Sequence, residues 1–242
     1  MTQQYRHALI IGAGSGLSAA LARRFAGEGL AVSLAARDAG KLDGLVSEIG
    51  ATAYRCDAGE RASIAALFEA LDASAAGAPD VLVYNPSARQ RGPLLELDPE
   101  TVARAVEITA LGAFYAAQEA ARRMLPAGGG DEVGKGALLF TGASAGVKGF
   151  AQSAPFAMGK FALRGLAQSL ARELHPRGIH VGHFVIDGGI RNEARPDRVE
   201  AADRPDSMLD PVAIAETYWH FLAQDRSAWA WEIEVRPWVE RF

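Results

Sequence analysis

Apolar residues in this chain run consecutively in short blocks, and between the blocks they recur every three or four positions. The blocks at 7–11, 31–35, 52–56, 80–84, 137–141, 179–186 and 231–236 read as strands, and the stretches 17–26, 39–49, 62–73, 99–124, 156–173 and 211–222 as helices. Segments such as LIIG, VLVY and LLFT do not alternate, which is the pattern of strands covered on both faces of a sheet. Strand followed by helix over the whole length predicts right-handed crossovers. The fold class expected is α/β: a Rossmann-like, doubly wound parallel sheet of about seven strands with helices on both faces, in a single domain over 1–242. Asp98-Pro99 and Asp210-Pro211 read as helix starts, with aspartate capping and proline at the first helical position. Gly27 and Gly29 mark the end of the first helix.

Two stretches break the alternation. Residues 191–206 (RNEARPDRVEAADRPD) are charged and poor in apolar side chains. They read as a solvated surface loop or, because they follow a strand at the sheet's carboxyl edge, as a mobile substrate loop over a cleft, spanning 190–210. Residues 127–135 (AGGGDEVGK) read as a flexible connection.

Composition narrows the class. The 25 basic residues are scattered among 29 acidic ones, so no basic stripe argues for nucleic acid. The chain start lacks an apolar signal segment, and no apolar run approaches the ~20 residues that span a bilayer. Cys56 is the single cysteine and has no internal disulfide partner. A soluble cytoplasmic protein is expected.

The first strand runs into Gly12-Ala13-Gly14-Ser15-Gly16-Leu17-Ser18 and then a helix. Glycines there let backbone N–H groups approach a pyrophosphate at the positive end of the helix dipole. The turn resembles the Gly-x-x-x-Gly-x-Gly of the short-chain dehydrogenase/reductase family, with Ser18 in place of the last glycine. Further likenesses follow in order. Cys56-Asp57-Ala58 stands where the family's aspartate touches adenine. Tyr84-Asn85-Pro86-Ser87 is similar to a degenerate Asn-Asn-Ala-Gly, and Phe156-Ala157-Met158-Gly159-Lys160 to the Tyr-x-x-x-Lys segment. Asp187-Gly188-Gly189-Ile190 resembles the Pro-Gly turn after the sixth strand. The resemblance implies cofactor contacts from Gly12, Gly14, Ser15, Gly16, Leu17, Asp57, Ala58, Asn85, Pro86, Ser87, Lys160, Gly188 and Ile190. Charge then bears on cofactor choice. The second strand ends in Ala35-Ala36-Arg37, with an arginine suited to a 2′-phosphate and no carboxylate to accept from a 2′-hydroxyl, although Asp38 follows. NADP(H) is the expected cofactor.

The resemblance implies carbonyl reduction with a tyrosine as proton donor, a serine holding the substrate oxygen, a lysine binding the ribose and lowering the tyrosine's pKa, and an asparagine positioning that lysine. Carried over by position, the lysine is Lys160, the tyrosine position is Phe156, the serine position Ala143 and the asparagine position Thr109. General acid catalysis contributes ~10²–10⁴-fold and one oxygen-stabilising donor ~10²–10³-fold, so ordinary ketone reduction is expected to be crippled. Three readings follow. Ser144 or Ser153 substitutes as a catalytic hydroxyl; or the substrate is an activated C=C or C=N that needs hydride and little acid; or the protein binds NADPH without turnover, as a sensor or partner subunit. The substrate is not readable. A homodimer or homotetramer is implied by the resemblance, through the helices at 99–124 and 156–173.

The five histidines lack metal-ligand spacing, so no metal is expected; His183 is expected to be buried. Arg89 and Arg91 read as solvated surface residues, or else as cleft residues that would welcome an anionic substrate. Trp229, Trp231 and Trp238 read as core or subunit-contact residues.

Overall fold

The computed structural model describes residues 4–125, 134–192, 194–200 and 202–240. The connection expected at 127–135 lies outside the described residues as far as position 133. Seven strands form one parallel sheet: β1 His7–Ile11, β2 Ala31–Ala36, β3 Thr52–Arg55, β4 Val81–Tyr84, β5 Gly136–Thr141, β6 Ile179–Ile186 and the last strand, β9 Glu232–Val235. Their order is β3-β2-β1-β4-β5-β6-β9, with the reversal between β1 and β4 that defines a doubly wound sheet. A separate two-stranded pair, β7 Gly189–Ile190 with β8 Met208–Leu209, was not expected from the sequence. Two residues per strand are too few to leave a period.

Helices cover both faces. On one, α1 Leu17–Gly27, α2 Asp43–Ile49 and α7 Pro211–Leu222 enclose a core that includes Ile10, Phe25, Leu34, Val83, Tyr218 and Phe221. On the other, α3 Arg61–Asp72, α5 Gly112–Met124 and α6 Ala154–Leu174 pack around Leu9, Phe68, Leu82, Phe140, Leu163 and Val181. The consecutive apolar runs in β1, β4, β5 and β6 are buried at every position, as two covered faces require. Asp98 and Asp210 cap their helices as expected, accepting from the N–H groups of Thr101 and Val212.

The single helix expected over 99–124 is interrupted. It runs as α4 Pro99–Val106, a π-helical segment Glu107–Leu111, and then α5. The Tyr84 hydroxyl donates to the Ile108 carbonyl inside this segment. Gly112 follows, where a Cβ would stand 2.0 Å from the Ala58 carbonyl oxygen and 2.3 Å from the Tyr84 hydroxyl. The wider turn is thus held by a tyrosine on the sheet, and only glycine permits the approach that follows it. The helix expected at 39–49 likewise opens with a 3-10 turn, Ala39–Leu42. No helix among the described residues is long and apolar enough to cross a membrane.

Candidate cofactor and active site

Where β1 ends, Gly12 takes φ +80°, and a Cβ there would lie 2.8 Å from the Pro86 nitrogen. Both constraints demand glycine. The Gly12 and Ala13 N–H groups donate to the Ala35 carbonyl at 2.9 and 3.0 Å, fixing the turn to β2. Gly14 differs, because nothing lies within 4 Å of where its Cβ would be. The chain itself does not need glycine there, so the open space is available to a ligand. Helix α1 begins beyond Gly16, which offers no side-chain cap, and its first-turn N–H groups and positive dipole end face the cleft. This is the geometry that receives a pyrophosphate. Ser18, at the third-glycine position, makes itself useful: its hydroxyl donates to the Gly12 carbonyl at 3.0 Å and accepts from Asn85 Nδ2 at 2.7 Å. Asn85 in turn donates its N–H to Ile11.

At the ends of β2 and β3 stand the residues expected at the adenosine end. Arg37 is exposed and makes no ion pair among the described residues, whereas Asp38 is occupied by Lys41 at 3.5 Å. The Asp57 carboxylate accepts from the Gly59 N–H at 2.9 Å and from Arg104 at 3.0 Å. Ala58 is buried against α5.

A cleft of about 550 Å³ opens at the carboxyl ends of β1, β4, β5 and β6, the position at which doubly wound sheets bind ligands. Lys160 reaches it from α6, 2% exposed, with Nζ donating to the Thr141 carbonyl at 2.6 Å. Burial pushes its pKa down to about 7, and the positive charge of Arg89 pushes the same way. Phe156, one turn earlier on the same helix face, and Ala143 also line the cleft. With Ala145 they form a small apolar cluster of their own, separate from the two main cores. The Arg89 guanidinium stands 4.6 Å from the centre of the Phe156 ring, and Lys160 Nζ 5.9 Å from it. Thr109 is buried beneath, accepting from the Ala88 N–H at 3.3 Å.

Ser144 and Ser153, considered as catalytic hydroxyls from the sequence, are not among the residues lining the cleft. Ser144 opens a 3-10 turn just after the extended Ala143, and Ser153 is buried at the start of α6. Arg89 is exposed and at the same time forms part of the cleft wall, so the solvated and cleft-facing readings of this residue both describe it. Sequence reasoning missed Asn192, Arg195 and Arg198, which the 190–210 segment carries into the cleft. Asn192 Nδ2 donates to the Ser15 hydroxyl at 3.2 Å, across the glycine turn. The charge density of 191–206 was the available signal.

Asp187, where the family has proline, is explained locally. Its N–H donates to the Val235 carbonyl at 2.9 Å, a bond proline lacks, and its buried carboxylate lies 3.5 Å from Arg236 and 3.8 Å from Lys148. Gly188 follows because a Cβ would meet the Pro237 ring at 2.9 Å. His183 is buried as expected, and so are His7 and His180. Burial drives the His183 pKa down to about 4, although Glu232 holds its Nδ1 at 2.9 Å. Trp229 stacks on His180, whereas Trp238 is exposed. Among the described residues no group of three or more His, Cys, Asp or Glu is placed to hold a metal ion.

Known proteins match both the sequence and this arrangement. Residues 6–200 match the short chain dehydrogenase family. The chain is 33% identical over 205 residues to the cyclic-di-GMP-binding biofilm dispersal mediator protein of Escherichia coli, covering 83% of this chain and 80% of that one. It is 30% identical over 241 residues to a (3R)-3-hydroxyacyl-CoA dehydrogenase of Mus musculus, covering 92% and 90%. Among solved structures, a short-chain dehydrogenase from Rhodopseudomonas palustris superposes with TM-score 0.79 at 33% identity, over 98% of this chain and 100% of that one. A metagenomic short-chain oxidoreductase in complex with NADP superposes with TM-score 0.79 at 25% identity, over 97% and 98%. Sequence and fold together make this chain a member of the short-chain dehydrogenase/reductase family of oxidoreductases.

Proposed function

We propose that this protein is an NADP(H)-dependent oxidoreductase with an altered active site, which passes hydride to an activated C=C or C=N rather than to a simple ketone. The observation that carries the reading is that Phe156 and Ala143, packed with Ala145 into an apolar cluster, line the cleft together with Lys160. On the family's pattern the proton donor and the oxygen-holding hydroxyl would stand there, and neither side chain has a dissociable proton. The glycine turn, the uncapped start of α1 and the exposed Arg37, which makes no ion pair among the described residues, fit a nicotinamide dinucleotide carrying a 2′-phosphate. A nicotinamide held by these residues would supply hydride.

The residues present then favour acceptors that need little acid. When hydride adds to an iminium carbon, the C=N π pair becomes the nitrogen lone pair and no proton is required. When it adds to an activated C=C, the resulting enolate takes its proton from water. Phe156 and Ala143 exclude water from one side and shape the pocket, while Lys160, protonated only in part near pH 7, would donate a hydrogen bond to the ribose and, in its protonated form, favour developing negative charge. A homodimer or homotetramer in the cytoplasm completes the reading. Incubation with NADPH and a panel of ketones, enoyl thioesters and cyclic imines tests it. Turnover confined to imines and enoyl compounds is the expected result, and efficient ketone reduction by the wild type overturns it.

A second reading has its own support: the relative from Escherichia coli bears a binding role in its name. On that reading the protein binds NADPH without turnover, as a sensor or partner subunit. Tight NADPH binding with no turnover across the panel is its signature.

A further inference from the structure

The cleft wall is strongly one-sided in charge. Arg89, Lys160, Arg195 and Arg198 line it, and no aspartate or glutamate among the described residues does, although the chain as a whole carries net charge −4. The cations come from three separate parts of the chain: the loop after β4, helix α6 and the 190–210 segment. Asp197 partly offsets two of them, at 2.9 Å from Arg195 and 3.6 Å from Arg198. Arg89 has no carboxylate partner among the described residues. Instead it leans on the Phe156 ring at 4.6 Å, and partial desolvation together with Arg198, Arg91 and Arg195 depresses its pKa. Like charges crowded into one cleft raise the energy of the empty site, and an anion placed among them relieves that repulsion.

The pyrophosphate-receiving turn already has its own donors, the N–H groups at the start of α1. Arg89 stands at the other end, against Phe156. We propose that Arg89, backed by Arg195 and Arg198, receives an anionic group on the substrate, a carboxylate or a phosphoryl group, and so holds the reducible bond against the Phe156 face of the cleft. This rests on the reading of the cleft as a hydride-transfer site, whose substrate class it narrows to acids. An arginine fork suits either group, because both present paired oxygens at the spacing of two guanidinium N–H donors.

The test compares crotonate, its neutral amide crotonamide, and vinylphosphonate by NMR titration of the full chain, with and without saturating NADPH. A charge-assisted contact is worth about tenfold or more in affinity, so one or both acids are expected to bind about tenfold tighter than the amide. Which acid binds tighter identifies the group. Arg89→Gln is expected to erase the preference while NADPH affinity stays within about twofold, far below one lost charged contact. Asp197→Asn, at an exposed residue, frees Arg195 and Arg198 and is expected to tighten acid binding. Equal affinity for crotonate, vinylphosphonate and crotonamide overturns the proposal. So does an Arg89→Gln protein that loses NADPH affinity but keeps the acid preference, since the arginine would then serve the cofactor. Acid preference in a protein that does not bind NADPH leaves the anion clamp standing and overturns the cofactor reading instead.

Discussion

The two ends of the cleft are built on different principles. At the end proposed for the nucleotide, the features that would recognise it are backbone: a positive φ at Gly12, open space at Gly14, and the start of α1. Side chains there serve the loop, as Ser18 and Asn85 do by tying the turn to β4. At the Phe156 end, the proposed chemistry depends on individual side chains, and the wall there is formed by the apolar Phe156 and Ala143. A scaffold of the first kind tolerates sequence drift because N–H groups survive substitution. A site of the second kind changes its chemistry with one residue.

The largest test of this contrast is to restore the second end. Phe156→Tyr combined with Ala143→Ser is expected to raise NADPH-dependent ketone reduction by ~10²–10⁴-fold, followed as cofactor consumption. Unchanged rates would mean that the scaffold around these positions, and not the two hydroxyls, limits the reaction.

The first end is broken through its backbone. Gly12→Ala is expected to cost about 2–4 kcal/mol in denaturant unfolding, from positive-φ strain and the contact with Pro86. Gly14→Ala is expected to leave stability unchanged, because its Cβ meets nothing within 4 Å, yet to weaken NADPH binding. Stability and binding both unaffected at Gly14 would place the cofactor elsewhere.

Lys160 joins the two ends and carries a pH signature. Its folded pKa is depressed from 10.5 to about 7, so between these values the unfolded chain holds a proton that the folded chain has shed. Stability therefore rises with pH across that window, by up to about 1.4 kcal/mol per unit from this group. Unfolding midpoints measured between pH 7 and 9 are expected to show the slope, and Lys160→Met to remove it while lowering NADPH affinity. An identical slope in the variant would show that the lysine is charged in the folded state.

The smallest effect concerns cofactor choice. Arg37→Ala is expected to reduce the preference for NADPH over NADH by about tenfold, since one charge-assisted contact to an exposed phosphate is lost. Equal affinities for the two cofactors in the wild type would remove the role given to Arg37.

Much of this architecture was legible in the chain itself. Covered strands betray themselves by unbroken apolar runs, caps by Asp-Pro, and the tight turn after β1 by its glycines, because each depends on residues adjacent in sequence. Other features came from contacts across the fold. The π-helical break in the 99–124 helix depends on Tyr84, and the positions of Ser144 and Ser153 outside the cleft depend on how an extended Ala143 and the start of α6 are oriented. The sheet, its layers and the glycine turn after β1 were determined by sequence alone, since local backbone preference and hydrophobic period specify them. Only the tertiary structure decided that Arg89, Lys160, Arg195 and Arg198 share one wall, because charges up to 109 positions apart converge through strand order and crossover handedness, which no local pattern records.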